Sequence, residues 1–308
     1  MRIMGTMITV EHLSKKYRRK LAVNDVSFTV EEGKVTGFLG PNGAGKSTTM
    51  RLMLGLDNGS GTTLYDGKPL HSYEKPSQLV GILLEAKAFH PSRTAWNHLK
   101  VLAAAGGIDD ARVDEVLDIV GLSDVARKKP GKFSLGMSQR LGIAAAILGK
   151  PKYLLLDEPA NGLDPEGIAW LREFLKSYAD AGNAVLVSSH LLSEMSQMAD
   201  NIVVIGKGKL IAHTSMKQLI ADNGRANVFI RTPALAKLEK ALQKDGAKFV
   251  KEHSGVSVSN LSTEEVGAIA YKSNIEVHEL TLRSPSLEDA FLELTAHAEE
   301  YKAGKGGK

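Results

Sequence analysis

The sequence predicts an α/β fold with a mainly parallel core sheet, followed by a small C-terminal α+β domain. Three short, largely apolar segments, 35–39, 153–156 and 184–188, are typical of strands that are buried on both faces. Segments with helical periodicity lie between them, and this alternation favours a parallel sheet covered by helices on both sides. After residue 222 the strands and helices become shorter, which indicates a second domain.

The first part of the chain opens with alternating apolar and polar residues, the pattern of strands with one buried face. The strands expected up to residue 84 are 8–13, 22–30, 35–39, 62–64 and 79–84. A helix is expected from residue 46 to about residue 54, directly after the glycine-rich segment that ends strand 35–39.

Residues 95–148 are expected to be mainly helical. The helical pattern is broken at 106–107 by two glycines and at 128–131 by lysines, a proline and a glycine. The elements expected after the buried strand 153–156 are a helix at 166–181 and strands at 184–188, 202–205 and 209–213.

The C-terminal pattern is strand, helix, two strands, helix, strand and a closing helix, the order of a small split βαβ module. Its elements are expected at 227–231, 233–245, 248–252, 255–259, 263–273, 276–281 and 286–297. The domains expected are therefore a first domain at 1–222 with its helical region at about 95–148, an accessory α+β domain at 226–298, and a flexible tail at 299–308.

Composition limits the functions to be considered. The chain has no cysteine, which excludes disulfides and cysteine-ligated metals and agrees with a reducing compartment such as the cytoplasm. The amino terminus lacks the layout of a secretory signal, and no apolar run approaches the roughly 18 residues of a membrane helix. A net charge of +4, spread along most of the chain, gives little reason to expect direct nucleic-acid binding.

A phosphate-binding pattern, G-x-x-x-x-G-K-[ST], stands between the buried strand 35–39 and a helix, which is the context it requires. Its residues are Gly40, Pro41, Asn42, Gly43, Ala44, Gly45, Lys46 and Ser47, followed by Thr48. The glycines let backbone N–H groups turn toward a phosphate at the positive end of the helix. Lys46 is expected to reach the β- and γ-phosphates, and the Ser47 hydroxyl to bind Mg²⁺.

Two carboxylates, Asp157 and Glu158, come directly after the buried strand 153–156. Ligands of parallel sheets bind beyond the carboxyl ends of the strands, so these acids are expected near the phosphate loop. Asp157 suits Mg²⁺, held directly or through water, and Glu158 suits the general base that polarises the attacking water. Without a phosphate loop, two acids in this place would more often form a helix cap or a solvated turn.

A serine and a glycine open the apolar helix that follows residue 133, within the segment FSLGMSQR. Ser134 and Gly136 provide an anion site there because a helix amino terminus is positive, although a simple N-cap is the structural alternative. No guanine-reading motif of the N/T-K-x-D type occurs in the chain, so ATP is favoured over GTP.

These motifs, in this order, resemble those of the ATP-binding subunits of ABC transporters over about residues 7–220. The resemblance implies a P-loop ATPase domain with an antiparallel β subdomain and a helical subdomain. It identifies GPNGAGKS as the phosphate loop, FSLGMSQR as the signature and LLLDE as the strand of the Mg²⁺ and catalytic acids. It also implies that Tyr17 stacks on adenine, that Asp164 belongs to a loop at a dimer interface, and that His190 contacts the γ-phosphate or the attacking water.

Two places depart from the commonest pattern of the family. Glu85 stands where a glutamine is usual; its carboxylate could approach Mg²⁺ through water, but it adds negative charge beside a triphosphate. In the signature, Leu135 and Met137 replace a glycine and a glutamine, whereas Ser134 and Gly136 are kept. The residues of the anion site are therefore those usual in the family, whereas Glu85 changes the expected surroundings of the metal.

The resemblance implies a dimer, formed with a second copy or a homologous ATPase subunit. Two ATP molecules would be sandwiched in it, with the signature serine of one subunit facing the γ-phosphate held by the other. A separate transmembrane permease and a position at the cytoplasmic face of the membrane are also implied. The segments SLGMSQRLGIA and SLEDAFL resemble exporters of drugs, antibiotics and peptides, but importer subunits share the core motifs.

Two other classes of ABC-type ATPase fit the sequence less well. A translation factor of this type carries two complete motor domains, whereas each motif occurs once here. A chromosome or repair ATPase inserts a long coiled coil between phosphate loop and catalytic strand, and no sustained heptads separate Lys46 from Asp157. A binding module that had lost catalysis would lack Lys46 or Glu158.

Overall fold

The computed structural model describes residues 7–18, 20–222, 227–252 and 254–283. In chain order, its strands are β1 (Met7–Tyr17), β2 (Lys20–Glu31), β3 (Val35–Leu39), β4 (Ser60–Tyr65), β5 (Lys68–Pro69), β6 (Val80–Leu83), β7 (Tyr153–Leu156), β8 (Ala184–Ser189), β9 (Asn201–Gly206), β10 (Lys209–Ser215), β11 (Asn227–Arg231), β12 (Phe249–Lys251), β13 (Val256–Val258) and β14 (Glu279–Arg283). Its α-helices are α1 (Lys46–Met53), α2 (Pro76–Leu79), α3 (Ala95–Gly106), α4 (Ala111–Ile119), α5 (Leu135–Ala146), α6 (Pro165–Asp180), α7 (Leu192–Met198), α8 (Met216–Asp222), α9 (Leu235–Lys244) and α10 (Thr263–Lys272).

The chain divides into two compact units, one made of the described residues up to Met216 and one of those from Lys217 onward. The division falls at the start of α8, whereas the boundary expected from the sequence, 222–225, begins where that helix ends. The helix expected at 286–297 and the tail at 299–308 lie outside the described residues.

The core sheet of the first unit has the strand order β10-β9-β3-β8-β7-β6. Neighbours from β9 to β6 pair in parallel and only the edge strand β10 is antiparallel, which confirms the mainly parallel sheet. Every residue of β3, β7, β8 and β9 is buried, as their apolar sequences predict. The carboxyl ends of β3 and β7 therefore meet at one edge of the sheet.

A second, antiparallel sheet has the order β2-β1-β4-β5 and confirms the antiparallel β subdomain. Alternate residues of β1 and β2 are buried, so each strand has one apolar face. Both strands extend beyond their expected ends because their pairing continues to Tyr17 and Lys20. Their register shifts near His12 and Asp25, whose φ angles of 53° and 55° are the local irregularities of a bulged pair.

The helical region consists of α3, α4 and α5 and confirms the helical subdomain. Thr94 caps α3 by accepting a hydrogen bond from the Asn97 N–H, and Gly107 ends the helix at a φ of 64°. The break expected at 128–131 contains a short 3₁₀ turn, Pro130–Lys132, just before α5. The interruptions predicted from glycine and proline thus separate the observed helices.

The second unit contains a four-stranded antiparallel sheet in the order β12-β13-β11-β14, joined through α9 and α10. This is the order of a split βαβ module and confirms the small α+β domain. Its core packs alternate residues of β11 and β13 against α9 and α10. Helix α9 begins at Leu235, not at residue 233, and β14 begins at Glu279, not at residue 276.

Candidate functional site

The phosphate loop joins the end of β3 to the start of α1 and requires its glycines. Gly43 and Gly45 have φ angles of 80° and 107°, a region that favours glycine. A Cβ atom on Gly45 would lie 2.6 Å from the Ala22 carbonyl oxygen, and one on Gly40 would lie 2.4 Å from that of Ile205. The loop therefore packs closely between β2 and β9, which fixes its backbone at the amino terminus of α1.

Lys46 links this loop to the acids after β7. Its side chain is only 6% exposed, and its ammonium donates a hydrogen bond to the Gly40 carbonyl oxygen at 2.6 Å. The same nitrogen lies 3.1 Å from Oε1 of Glu158. The structure thus brings together the two residues that the sequence predicts on separate elements.

The acids Asp157 and Glu158 are fixed by their backbone and by a serine of β8. The Asp157 N–H donates to the Leu83 carbonyl oxygen at 2.7 Å, and the Glu158 N–H donates to Ser188 Oγ at 2.9 Å. The Ser188 hydroxyl in turn donates to Asp157 Oδ1. Ser188 is not among the predicted site residues, because its only signal in the sequence is a polar residue at the end of an otherwise apolar strand.

The Glu158 carboxylate lies between Lys46 and His190. Its Oε2 is 2.9 Å from Nδ1 of His190. Its Oε1 is buried and accepts no hydrogen bond from the described residues, because the Lys46 ammonium approaches as an ion pair outside hydrogen-bond geometry. A buried carboxylate oxygen without a donor is a suitable acceptor for a water molecule at the phosphate loop.

Gln139 ties helix α5 to the same site. Its side chain is 4% exposed, and Nε2 donates to the carbonyl oxygens of Glu158, at 3.1 Å, and of Asn161, at 3.2 Å. These two carbonyls belong to the turn that leads from β7 toward α6. Gln139 is not among the predicted site residues, because hydrogen bonds to backbone carbonyls leave no pattern in a sequence.

Ser134, Gly136 and Asp164 form a second group, at the amino termini of α5 and α6. Ser134 caps α5 by accepting from the Met137 N–H at 3.1 Å, and Asp164 caps α6 by accepting from the Gly167 N–H at 2.9 Å. A Cβ atom on Gly136 would lie 3.0 Å from the Gly162 carbonyl oxygen, so the two amino termini are close together. The side-chain hydrogen bonds of Ser134 and Asp164 stay within their own helices.

Tyr17, at the end of β1, is 45% exposed and is held by two further residues. Its hydroxyl donates to Asp57 Oδ2 at 2.8 Å, and Arg51 Nε lies 3.2 Å from the same oxygen. The hydrogen bonds from Tyr17 and Arg51 lower the Asp57 pKa, and the bond to Asp57 raises the pKa of Tyr17. The Lys15 ammonium lies 4.8 Å from the ring centre.

The residues expected to bind a metal lie on three separate parts of the chain. Ser47 is exposed in the first turn of α1, Asp157 follows β7, and Glu85 is exposed two residues after the neighbouring strand β6. Among the described residues no three histidine, cysteine or acidic side chains form a metal-binding group. A cation here would depend on Ser47 and Asp157 together with oxygens from water and phosphate.

Comparisons with known proteins give matches along most of the chain. Residues 23–161 match the family model described as ABC transporter, and residues 226–288 match a domain of unknown function. The chain is 38% identical over 305 residues to the ABC transporter ATP-binding protein YhcH of Bacillus subtilis, covering 96% of this chain and 98% of that one. It belongs to the ABC transporter ATP-binding proteins. It binds ATP and hydrolyses it, as members of this family do.

Two relatives of this ATP-binding protein have names that state what they transport. The bacitracin transport ATP-binding protein BcrA of Bacillus licheniformis is 36% identical, over 94% of this chain and 98% of that one. The lantibiotic transport ATP-binding protein SrtF of Streptococcus pyogenes is 37% identical, over 67% of this chain and 89% of that one. A solved structure, the ATP-binding subunit of an ABC transporter, is 28% identical with a TM-score of 0.64, covering 70% of this chain and 93% of that one.

Proposed function

We propose that this ATP-binding protein drives the export of a peptide antibiotic through a separate transmembrane permease, at the cytoplasmic face of the membrane. The main support for ATP hydrolysis at this site is that Glu158 contacts both Lys46 and His190 at the carboxyl ends of the core strands. The cargo class is inferred from relatives named for bacitracin and lantibiotic transport. The helices in the described part of this chain include none that could span a membrane.

In the proposed site the nucleotide lies along the loop between β3 and α1. The backbone N–H groups of the loop and the Lys46 ammonium bind the phosphates, and the positive end of α1 adds to their attraction. Tyr17 stacks on adenine, with its ring held by the hydrogen bond to Asp57. Thr48, directly after Ser47, completes the first turn of the helix.

The residues fit Mg²⁺ as well as ATP. Mg²⁺ in nucleotide sites takes one or two protein oxygens and completes its octahedral shell with water and phosphate oxygens. Ser47 and Asp157 would supply the two protein oxygens, and Glu85 would contribute through water. When bound, the ion would neutralise charge on the phosphates, which is the main chemical need of phosphoryl transfer.

Glu158 is the proposed general base. Its Oε1 would accept a hydrogen bond from the attacking water, because that buried oxygen accepts none from the described residues and has the Lys46 ammonium only as an ion-pair partner. His190 holds Oε2 and orients the carboxylate, and Lys46 stabilises negative charge on the transferred phosphoryl group. The proton removed from the water is taken up at the Glu158 carboxylate.

The second group of residues is proposed to act on the ATP of another subunit. Ser134 and Gly136 mark a helix amino terminus on the surface, where an anion is stabilised, and Asp164 caps the neighbouring helix. A second copy or a homologous subunit would present these residues to the γ-phosphate. Such contacts exist only in the closed dimer, so ATP binding shifts the population toward closure.

The test of catalysis is Glu158→Gln, which keeps the shape of the side chain and removes its basicity. We expect ATP binding to persist, turnover to fall by at least about a hundredfold, and an ATP-dependent dimer to accumulate. Turnover is measured by phosphate release and dimerisation by light scattering. Near-normal turnover in a folded Glu158→Gln protein would exclude Glu158 as the base, whereas Lys46→Ala should weaken nucleotide binding itself.

The test of transport is recovery of the tagged chain from gently solubilised membranes of its native cell, followed by mass spectrometry. We expect a stoichiometric membrane protein that has no ATPase domain of its own. Deletion of the gene should also increase sensitivity to a peptide antibiotic of the bacitracin or lantibiotic type. Recovery with ribosomes or DNA-bound proteins, and without a membrane protein, would assign the motor to another process.

A further inference from the structure

Two loop segments of the helical subdomain carry an unusual number of cations. Segment 86–94 precedes α3, segment 126–133 precedes α5, and neither contains an acidic residue. The cations exposed on them, here called the basic surface, are Lys87, Arg93, Arg127, Lys128, Lys129 and Lys132. None of the six forms an ion pair with any residue that the structure describes.

The fold brings these segments together although they lie far apart in the sequence. The Ala95 N–H donates to the Lys128 carbonyl oxygen at 3.0 Å, and the Trp96 N–H donates to that of Ala126 at 2.8 Å. Farther along, a Cβ atom on Gly131 would lie 3.6 Å from the Pro91 carbonyl oxygen. Backbone hydrogen bonds therefore hold the two segments side by side, so the basic surface combines cations from both.

The buried His98, whose ring packs against Phe89 of segment 86–94, adds no positive charge to the patch. Burial lowers the pKa of His98, and the charges of Arg93 and His90 lower it further. Two acids beside α3 already have partners, because Asp114 accepts from Trp96 Nε1 at 2.9 Å and Asp110 pairs with Lys100. Glu85 and Asp124 are exposed and flank the two segments without pairing with their cations. The positive charge of the basic surface is thus left for a partner outside the chain.

We propose that the basic surface binds the anionic phospholipid headgroups of a membrane. Its cations stand on exposed turns and not in a concave pocket of their own, so they suit many weak contacts with a plane of phosphates. Groups on the order of four to eight lysine or arginine residues near a membrane bind anionic lipid in this way. The role of this lipid binding in the cell rests on the proposed function, which places the chain at a membrane. Binding of the purified chain to lipid does not depend on that function.

Nucleic acid fits the same surface less well. Sequence-tolerant binding of single strands depends on aromatic rings on which bases stack. The Trp96 ring is instead covered by the Arg127 guanidinium, 4.4 Å from its centre, and Phe89 packs edge-on against His98. The rings nearest the basic surface are therefore engaged within the protein.

The experiment uses the purified full chain and vesicles of phosphatidylcholine, alone or in an equal mixture with phosphatidylglycerol. We expect binding in a sedimentation assay only to the mixed vesicles at about 0.1 M salt, and its loss at about 1 M salt, where charges are screened. Lys128→Glu, Lys129→Glu and Lys132→Glu in one protein should weaken vesicle binding by at least about tenfold. The ATPase rate and melting temperature of that variant should match those of the unmodified chain.

Two control variants carry the same change in net charge. Lys240→Glu, Lys244→Glu and Lys248→Glu alter exposed lysines of the second unit, and Lys302→Glu, Lys305→Glu and Lys308→Glu alter the tail. Both should keep most of the vesicle binding. Equal losses in all three variants, loss in the tail variant alone, or binding of a DNA duplex but not of vesicles would overturn the proposal. Absence of vesicle binding by the unmodified chain would also overturn it and would favour an acidic segment of the permease as the partner of the basic surface. The ATPase and copurification tests of the proposed function do not depend on this result.

Discussion

Glu158 has a backbone conformation that glutamate rarely adopts, with a φ of 48°. A residue other than glycine in this region costs on the order of 1–3 kcal/mol, and the surrounding structure must offset that cost. Ser188 accepts from its N–H, Gln139 donates to its carbonyl oxygen, and His190 holds its carboxylate. The backbone and the side chain are thus fixed together, which directs Oε1 toward the phosphate loop.

Gln139 can be tested as a positioning residue with Gln139→Met, which has similar volume and no N–H donors. Losing two hydrogen bonds costs about 1–3 kcal/mol, so we expect kcat to fall by about tenfold to a hundredfold while the KM for ATP changes little. The measurement is steady-state ATP hydrolysis. Gln243→Met, at an exposed position of α9, is the matched control. A folded Gln139→Met protein with unchanged kcat would show that Gln139 only packs beneath the turn.

The site residues that the sequence predicts are those whose side chains carry the chemistry in a recognisable order. Lys46, Glu158 and His190 are examples, and the structure brings them within contact. Ser188 and Gln139 could not be predicted in the same way, because their partners are backbone groups and, for Ser188, also the Asp157 carboxylate after strand β7, and the positions of these groups depend on the fold. Asp57 was likewise missed, since its contact with Tyr17 joins residues 40 positions apart.

At the scale of elements, the turn between β9 and β10 supports the phosphate loop from a distant part of the chain. The Gly208 N–H donates to the Ala44 carbonyl oxygen at 2.9 Å, and its own carbonyl accepts from the Asn24 N–H at 2.7 Å. A Cβ atom on Gly208 would lie 2.6 Å from the Ala22 carbonyl oxygen. Because Ala22 also contacts Gly45, we expect a shift of this turn to displace the phosphate loop.

Gly208→Ala tests this support. We expect a several-fold rise in the KM for ATP and a loss of about 1–3 kcal/mol in the free energy of unfolding, because the methyl group must displace a backbone carbonyl. Gly33→Ala is the control, since Gly33 has a similar φ of 70° and open space where its Cβ would be. Both substitutions strain the backbone, so equal effects on ATP binding and stability would contradict the role of the turn.

Elements with a strong pattern were predicted best. Strand β3 was expected at its observed limits, and α6 within a residue at each end, because a buried apolar run and a long amphipathic face are clear signals. The four-residue α2 and the seven-residue α7 were not predicted, since they are too short to show helical periodicity. The late start of β14 follows from pairing, because β11 ends at Arg231, opposite Glu279.

For the whole molecule, the most informative features are surfaces that the sequence does not reveal. The six cations of the basic surface are divided between segments more than thirty residues apart, and their meeting depends on the hydrogen bonds of Ala95 and Trp96. An apolar cavity of about 560 Å³ beside β6 is likewise assembled from several elements that are distant in the sequence, with Leu83, Leu102 and Leu141 among its lining residues. Exposed apolar cavities of this kind commonly receive a ligand or a partner.

A cytoplasmic segment of the permease is the occupant expected for this cavity, because the proposed function requires a membrane partner and relatives of the chain are named for transport. Ala105→Arg places a charge in the cavity from an exposed position of α3. We expect it to reduce copurification of the membrane subunit by at least about tenfold, since burying an unpaired charge costs several kcal/mol, while the ATPase rate of the isolated chain is retained. Ala104→Arg, the next residue of the same helix, is exposed but does not line the cavity, and it should leave copurification intact. If both variants retain the membrane subunit, the permease binds elsewhere on the molecule; if both lose it, the whole outer face of α3 is the contact.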